Sequence, residues 1–326
     1  MNRTAEGKAW VRSLPALVEE CFRRWGLVLD VSPGFPVLHG YSGIVLPVLA
    51  QGREAVLKVS LPVEETLSEG PALRHWQGHG AVRLLDDDPA HCALLLERLS
   101  PVRTLWDVPL NEAAWIWGGI VRQLSEVPVA GSPVSTDHSY RIPRLSDLAE
   151  RWCDELPQDW MDLGRPFPAW LLHEALEVCQ THGAVARRDD SDVLVHQDLH
   201  FRNILARPGP DGGADWVAID PQAVLGPAEF SLPPVLRNRI AEYGAADPVA
   251  AVNGRLKDFC AEAGLDTELA RQWSVVSFVE DALWFAARPG HEGETQRSLW
   301  LASALSGRVL DDSVDPTRLH DPGLDD

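Results

Sequence analysis

Lysine is nearly missing from this chain of 326 residues: Lys8, Lys58 and Lys257 are the only three, and arginine supplies the other 26 positive charges. Cysteine is sparse, with five residues at 21, 92, 153, 179 and 260 and no CxxC. That excludes a disulfide framework and a zinc knuckle, and it fits a reducing compartment. No apolar run approaches the ~18 residues of a membrane span. The opening stretch, through AEGKAWVRSLPALVEECFRRW, lacks the apolar core and small-residue cleavage site of a secretory leader and has helical spacing instead. The expectation is a cytoplasmic protein with no membrane association.

Positive charge is short overall. Lys and Arg number 29 against 48 Asp and Glu, a net charge of −19. Nucleic acid as a partner needs a basic surface and is excluded. The acid is uneven: residues 1–99 carry a net −2 and residues 100–326 a net −17. An acidic half steers cationic ligands toward itself, although acidity also serves plain solubility. With 45% hydrophobic and 24% charged residues the composition is that of a globular protein, which rules out disorder, collagen and coiled coil. At ~150 residues per domain the length suggests two domains or one two-lobed unit.

Along the chain, short β-rich runs between turn residues follow the first helix. Gln51-Gly52-Arg53 marks a hairpin turn, AVLKVS a strand, and a helical stretch follows Pro62. AVRLLDDDPAHCALLLERL then gives two strands around an Asp-Pro turn. From Pro101 onward apolar residues recur at three- and four-residue steps, predicting helices over NEAAWIWGGIVRQLSEV, RLSDLAERWCDEL, PAWLLHEALEVCQTHGA, VLRNRIAEYG, GRLKDFCAEAG, TELARQWSVVSFVEDALWFAAR and TQRSLWLASAL. Strand-like VLVH, NILA and WVAID interrupt them, and a polar, proline-containing tail closes the chain. The fold class is α+β: a small antiparallel β lobe with one inner helix, residues 1–99, and a larger, mainly helical lobe, residues 100–326.

Lys58 stands inside a strand between Leu57 and Val59. It suits a solvent-facing edge, or a cleft where an ammonium neutralises phosphates. In the second role it needs a carboxylate from the next helix, where Glu64, Glu65 and Glu69 are available; Glu69 is preferred because its helix continues into Leu73 and Trp76. The denser signal is VLVHQDLHFRNILA, with WVAIDPQ bringing Asp220 seventeen residues after Asn203. In phosphoryl transfer a carboxylate orients an attacking hydroxyl and accepts its proton, which suits Asp198. A divalent ion bridging phosphates takes hard oxygen ligands, which suits Asn203 and Asp220. His196 and His200 stand four apart like the zinc ligands of H-E-x-x-H, but Gln197 replaces the required Glu and the lead-in is a strand, so a metalloprotease is excluded.

VHQDLHFRNILA, VAIDPQAVLGPAEF, AVLKVS, EGPALRHWQGHGAVRLL and ALLLERLSP resemble the aminoglycoside phosphotransferases, in the branch of streptomycin 6-kinases and hydroxyurea phosphotransferases. The likeness covers roughly residues 45–240 and extends more weakly into the C-terminal helices. It implies a two-lobed protein-kinase-like fold with ATP at the hinge. It further implies Asp198 as catalytic base, Asn203 and Asp220 on Mg2+, Lys58 on the nucleotide phosphates, Glu69 as its anchor, and the backbone of Glu97 and Leu99 on the adenine edge. In such enzymes the acceptor lies against the C-terminal helices, where acidic and aromatic residues hold cationic sugars. SFVEDALWF offers Glu280, Asp281 and Trp284, unless the acids are solvated and the aromatics are core. The implied activity is ATP-dependent phosphorylation of an antibiotic hydroxyl, a streptomycin-like aminoglycoside first, with no obligate protein partner. Hydroxyurea or a biosynthetic intermediate is the alternative acceptor, and an inactive nucleotide-binding regulator the alternative role.

Four features depart from the kinase pattern. Gln197 stands where glycine is usual, so the loop either avoids a positive φ there or is strained. The phosphate-covering segment VLHGYSGIV is poor in glycine. Ser231 replaces an acid that supports the catalytic loop in many relatives. Pro221 follows Asp220, so no mobile D-F-G switch exists, and without A-P-E there is no peptide-docking platform.

Overall fold

The structure is a computed structural model that describes residues 5–31, 36–40, 42–129, 142–183, 191–208, 214–244, 246–310 and 314–319. Most of the polar tail and Tyr41 of the glycine-poor segment lie outside the described residues. The chain forms two compact units. The first comprises Met1–Asp107, Gly131–Ile142 and Arg202–Ala223; the second comprises Val108–Ala130, Pro143–Phe201 and Val224–Asp326. Residues 202–223 therefore pack with the N-terminal residues, although the sequence places them among helices.

In the first unit, strands β1 (Leu27–Leu29), β2 (Leu38–His39), β3 (Gly43–Ala50), β4 (Arg53–Ser60), β5 (Leu84–Asp88) and β6 (Ala93–Glu97) form one antiparallel sheet in the order β1-β3-β4-β6-β5, with β2 also on β3. Gln51 (φ 51°) and Gly52 (φ 78°) both take left-handed backbone, the geometry of a two-residue hairpin turn that suits the twist of its strands. Period-two alternation then sorts β4. Ala55, Leu57 and Val59 pack on one face with Trp10 and Cys21 of helix α1 (Ala5–Trp25), Val48 of β3 and Ala93 and Leu95 of β6. Val56 and Lys58 consequently face the other way. Because β4 lies between β3 and β6, Lys58 is on an interior strand, not an edge. A short helix α2 (Glu64–Leu67) leads into α3 (Glu69–Trp76), the inner helix of this unit. Strands Ile204–Pro208 and Ala214–Ala218 form a hairpin tied to this unit by Val82 N–H to Ala218 O (2.8 Å) and Ala206 N–H to Arg103 O (3.0 Å).

The second unit contains helices α4 (Leu110–Ser125), α5 (Leu145–Asp162), α6 (Ala169–His182), α7 (Pro233–Arg237), α8 (Pro248–Ala263), α9 (Thr267–Ala286) and α10 (Glu292–Leu305). Aromatic rings fill its centre: Trp117 meets Phe259 at 5.4 Å, Phe201 meets Phe259 at 6.0 Å, and Phe230 meets Trp273 at 5.8 Å between centroids. Side-chain caps set two helix starts, Asp247 on the N–H of Ala250 and Asp266 on the N–H of Leu269. The Asp247 cap, followed by Pro248 at the first helical position, starts α8 six residues before the expected GRLKDFCAEAG. A two-stranded antiparallel ladder joins Val193–Val195 to Val224–Gly226. The second of these strands is too short to show alternation, and the sequence did not announce it.

The expected single helix over VLRNRIAEYG is broken. Helix α7 ends at Arg237, Arg239 turns left-handed (φ 52°), and a separate turn covers Ile240–Tyr243. The Arg255 guanidinium donates to the Asn238 carbonyl (2.8 Å) and Arg239 to Val108 O (2.8 Å), so tertiary hydrogen bonds outweigh the local helical pattern.

Gly118 in α4 touches α8 backbone to backbone: a Cβ there would lie 2.5 Å from the Glu262 carbonyl carbon and 2.6 Å from its oxygen. Neither atom can rotate away. Gly118→Ala, favoured by helix propensity alone, is expected to destabilise the protein by about 1–3 kcal/mol in thermal or urea unfolding.

Candidate active site

Lys58, Glu69, Glu97, Leu99 and Asp220 line one cavity of about 560 Å³ in the first unit, together with apolar Val45, Val56, Val82, Leu96, Leu205 and Ile219. That size and lining suit a flat, partly apolar small molecule with a charged end. Lys58 Nζ lies 2.8 Å from Glu69 Oε1, 2.7 Å from Glu69 Oε2 and 2.5 Å from Asp220 Oδ1. The Lys58 and Glu69 side chains are 12% and 2% exposed, whereas that of Asp220 is 57% exposed. Burial by itself would lower the Lys58 ammonium, but Glu69 and then Asp220 outweigh it and hold it above its ordinary value. Burial pushes the Glu69 carboxyl up, to about 7, against the pull of Lys58. The triad thus keeps one cation among two acids, its exposed acid at the cavity wall. Asp220 adopts left-handed backbone (φ 57°), which aspartate tolerates better than most residues.

Glu97 sits where β6 ends. Its N–H donates to Arg83 O (3.0 Å), its carboxylate accepts from the Arg83 N–H (2.8 Å), and Arg207 ion-pairs with it. The Glu97 amide is therefore engaged within the protein. Arg202 lies over the Trp106 ring at 4.4 Å, and both line the same cavity. Asn203 is buried at the end of a turn, Phe201–Asn203, and its carbonyl accepts from the Ile219 N–H (2.9 Å), next to Asp220 in the chain.

The segment His196–Phe201 belongs to the second unit. The Asp198 N–H donates to His196 O (2.6 Å), and His196 itself is buried. Gln197 takes φ 56°, so the loop keeps the left-handed turn that glycine would make easily and carries the strain in a residue with a Cβ. The indole N–H of buried Trp117 donates to Leu199 O (3.0 Å), and Phe201 packs under Arg239 at 5.1 Å. Ser231 is buried at the end of the turn Ala228–Ser231. Loop support thus comes from an indole and an arginine. That arginine is Arg237, whose Nη2 lies 2.8 Å from Asp198 Oδ1 and whose Nη1 lies 3.2 Å from Asp281 Oδ2. No sequence signal singled it out, because an arginine after LPPVL is an ordinary helix end.

Asp281, which the resemblance offered as an acceptor contact, is ion-paired with Arg237. Burial chiefly, then Asp281, pushes the neighbouring Glu280 carboxyl from 4.5 to about 8, with Arg237 and Arg288 opposing and Asp159 adding to the rise. Its surroundings therefore favour the protonated form more than water does. Trp284 is 38% exposed, with Arg288 over its ring at 3.5 Å and Phe285 against it.

An antiparallel sheet with an inner helix, and a sheet lysine bound to that helix's glutamate, define a phosphotransferase of the protein-kinase-like class. The fold agrees with solved structures: an aminoglycoside phosphotransferase crystal structure matches with a TM-score of 0.55 at 14% identity, over 90% of this chain and 97% of that one. The chain belongs to the aminoglycoside/hydroxyurea antibiotic resistance kinase family, whose model matches residues 24–289. It is 36% identical to a streptomycin 6-kinase of Streptomyces glaucescens over 93% of this chain and 92% of the relative. To a hydroxyurea phosphotransferase of Kitasatospora aureofaciens it is 33% identical, over 94% and 82%. Among the described residues no helix is long and apolar enough to cross a membrane.

Because the folded carboxyl of Glu280 binds its proton more tightly than the unfolded one, stability falls as pH rises from about 4.5 to about 8 and levels off beyond. Glu280→Gln is expected to raise the melting temperature more at pH 8.5 than at pH 5.5, as paired thermal scans would measure.

Proposed function

We propose that this protein transfers the γ-phosphoryl group of ATP to a hydroxyl of a small cationic antibiotic, a streptomycin-like aminoglycoside first, and so inactivates it. The observation that carries the acceptor assignment is the 36% identity to a streptomycin 6-kinase along nearly the whole chain. The net −17 of residues 100–326 is compatible with a cationic acceptor. Nucleotide binding is assigned to residues 1–99 with Asp220, acceptor binding to residues 100–326, and the place of action to the cytoplasm.

In this reading the adenine enters the apolar part of the cavity against Glu97 and Leu99. Lys58, held by Glu69, meets the phosphates. Asn203 and Asp220 fit a magnesium ion: both offer hard oxygens, and magnesium commonly takes one or two protein carboxylates and completes its shell with phosphate and water. Bound there, the ion would offset charge on the phosphates. Asp198 accepts the proton of the attacking hydroxyl as the new oxygen–phosphorus bond forms and the bond to the leaving ADP breaks. Glu280 and Trp284 lie nearest the acceptor, and a cation bound beside Glu280 favours the carboxylate, its proton passing to water.

Asp198→Ala is expected to lower turnover by about 10²–10⁴-fold while nucleotide affinity stays near that of the parent, in an ADP-release assay with a parallel nucleotide titration. Turnover close to the parent's would remove Asp198 from the chemistry. The second acceptor reading, hydroxyurea, is favoured by the 33% identity to the Kitasatospora enzyme. A panel of streptomycin, other aminoglycosides, hydroxyurea and a no-acceptor blank separates the two. Stimulation by streptomycin alone is the expected result, and stimulation by hydroxyurea alone would replace the aminoglycoside assignment.

A further inference from the structure

Arg237 joins two carboxylates carried by different elements: Asp198 on the loop after Val193–Val195, and Asp281 in the C-terminal half of α9. Its own backbone is pinned. Helix α7 opens on Pro233 and Pro234, leaving its start little freedom, and the residue after Arg237 is extended, its carbonyl held by Arg255 at 2.8 Å. The Asp198 and Asp281 side chains are only 15% and 18% exposed, and Arg237 is 25% exposed. A partly buried ion-pair cluster is weak evidence for stability, since apolar replacements of similar volume are often as stable or more so. Its geometry has a clearer use. Two nitrogens of one planar guanidinium face two acids, which an ammonium at the end of a flexible stem could not reproduce. The direction of the Asp198 carboxylate is thereby set by helices α7 and α9, and not by the strained loop that carries it.

We infer that Arg237 is the positioning residue for the Asp198 carboxylate and that Asp281 is the anchor holding Arg237 in place. The inference rests on the proposed role of Asp198 as proton acceptor. The acceptor hydroxyl then meets a carboxylate already fixed in direction, and part of the orientational entropy of the transfer is settled before substrate binds. It also gives Asp281 work inside the protein in place of contact with the acceptor. Burial alone would lower the Arg237 guanidinium, but Asp281 and then Asp198 hold it above its ordinary value, so it stays charged throughout the working pH range.

The test uses the full chain with magnesium-ATP and the acceptor that gives turnover in the panel. Arg237→Met is expected to lower kcat by about 100-fold and Asp281→Asn by about tenfold, with both KM values within about threefold of the parent. Arg237→Lys restores only part of the rate. In an Asp198→Asn background Arg237→Met has no further effect on the residual rate, because the two side chains act as one unit. A bridge that merely braced the fold would lower that residual rate as well, together with the melting temperature. The inference is overturned if Arg237→Met retains parental kcat, if its loss lies wholly in acceptor KM, or if it slows the Asp198→Asn enzyme equally. Should Arg237→Met not fold, Asp281→Asn leaves the arginine in place and carries the same comparison. Turnover surviving in Asp198→Ala refutes the base assignment itself, whereas a dead Asp198→Ala beside a fully active Arg237→Met refutes only the positioning role.

Discussion

An ammonium group taken out of water needs carboxylates close by, and much of the first unit is arranged to give Lys58 two of them. The hairpin at Gln51-Gly52 sets the register that turns Lys58 away from the α1 side of the sheet. Helix α3 begins at Glu69, so that side chain enters from a nearly fully buried position, while Asp220 arrives from 162 positions beyond Lys58 in the chain, just after the paired strands Ile204–Pro208 and Ala214–Ala218. The acid that is almost wholly buried stays bound to the lysine, and the one that is half open to solvent faces the cavity. In the proposed reading, an incoming phosphate takes the place of the exposed carboxylate and leaves the buried pair intact.

The second unit meets a different constraint. In the proposed reading the loop of Asp198 presents a carboxylate for chemistry, and a loop outside regular structure has to be stiffened by something other than its own backbone. Here the loop even works against itself, since Gln197 holds a left-handed conformation. Such strain persists only where the surroundings over-determine it. Those surroundings are identifiable: the Trp117 indole on the Leu199 carbonyl, the Phe201 ring between Phe259 and Arg239, and the Arg237 fork on Asp198. The close approach of α4 and α8 at Gly118 belongs to the same design, because it seats Trp117 and Phe259 against one another.

Much of this was legible in the order of residues. Strand alternation in AVLKVS, the spacing from Asp198 to Asn203 to Asp220, the acidic imbalance and the missing D-F-G are local or compositional features, and local features survive in one dimension. The pairing of Lys58 with Glu69 followed from a helix placed directly after the strand. Less accessible were the strand Val224–Gly226, the break at Arg239, the engaged amide of Glu97 and the ion pair of Asp281 with Arg237. Each depends on a partner far away in the chain: Val193–Val195, Arg255, Arg83 and Arg237, respectively.

Sequence by itself determined which groups are present, on what kind of element they ride and to which family they belong, because periodicity and motif spacing are properties of neighbouring residues. Tertiary structure alone decided which charges meet. Arg237 became the partner of Asp198, Glu280 became a carboxyl whose burial favours the protonated form, and Gln197 accepted a glycine's conformation. The reason is physical: ion pairing, desolvation and backbone strain depend on distance and burial in space, and helices α7 and α9 bring together side chains that lie up to 83 positions apart in the chain.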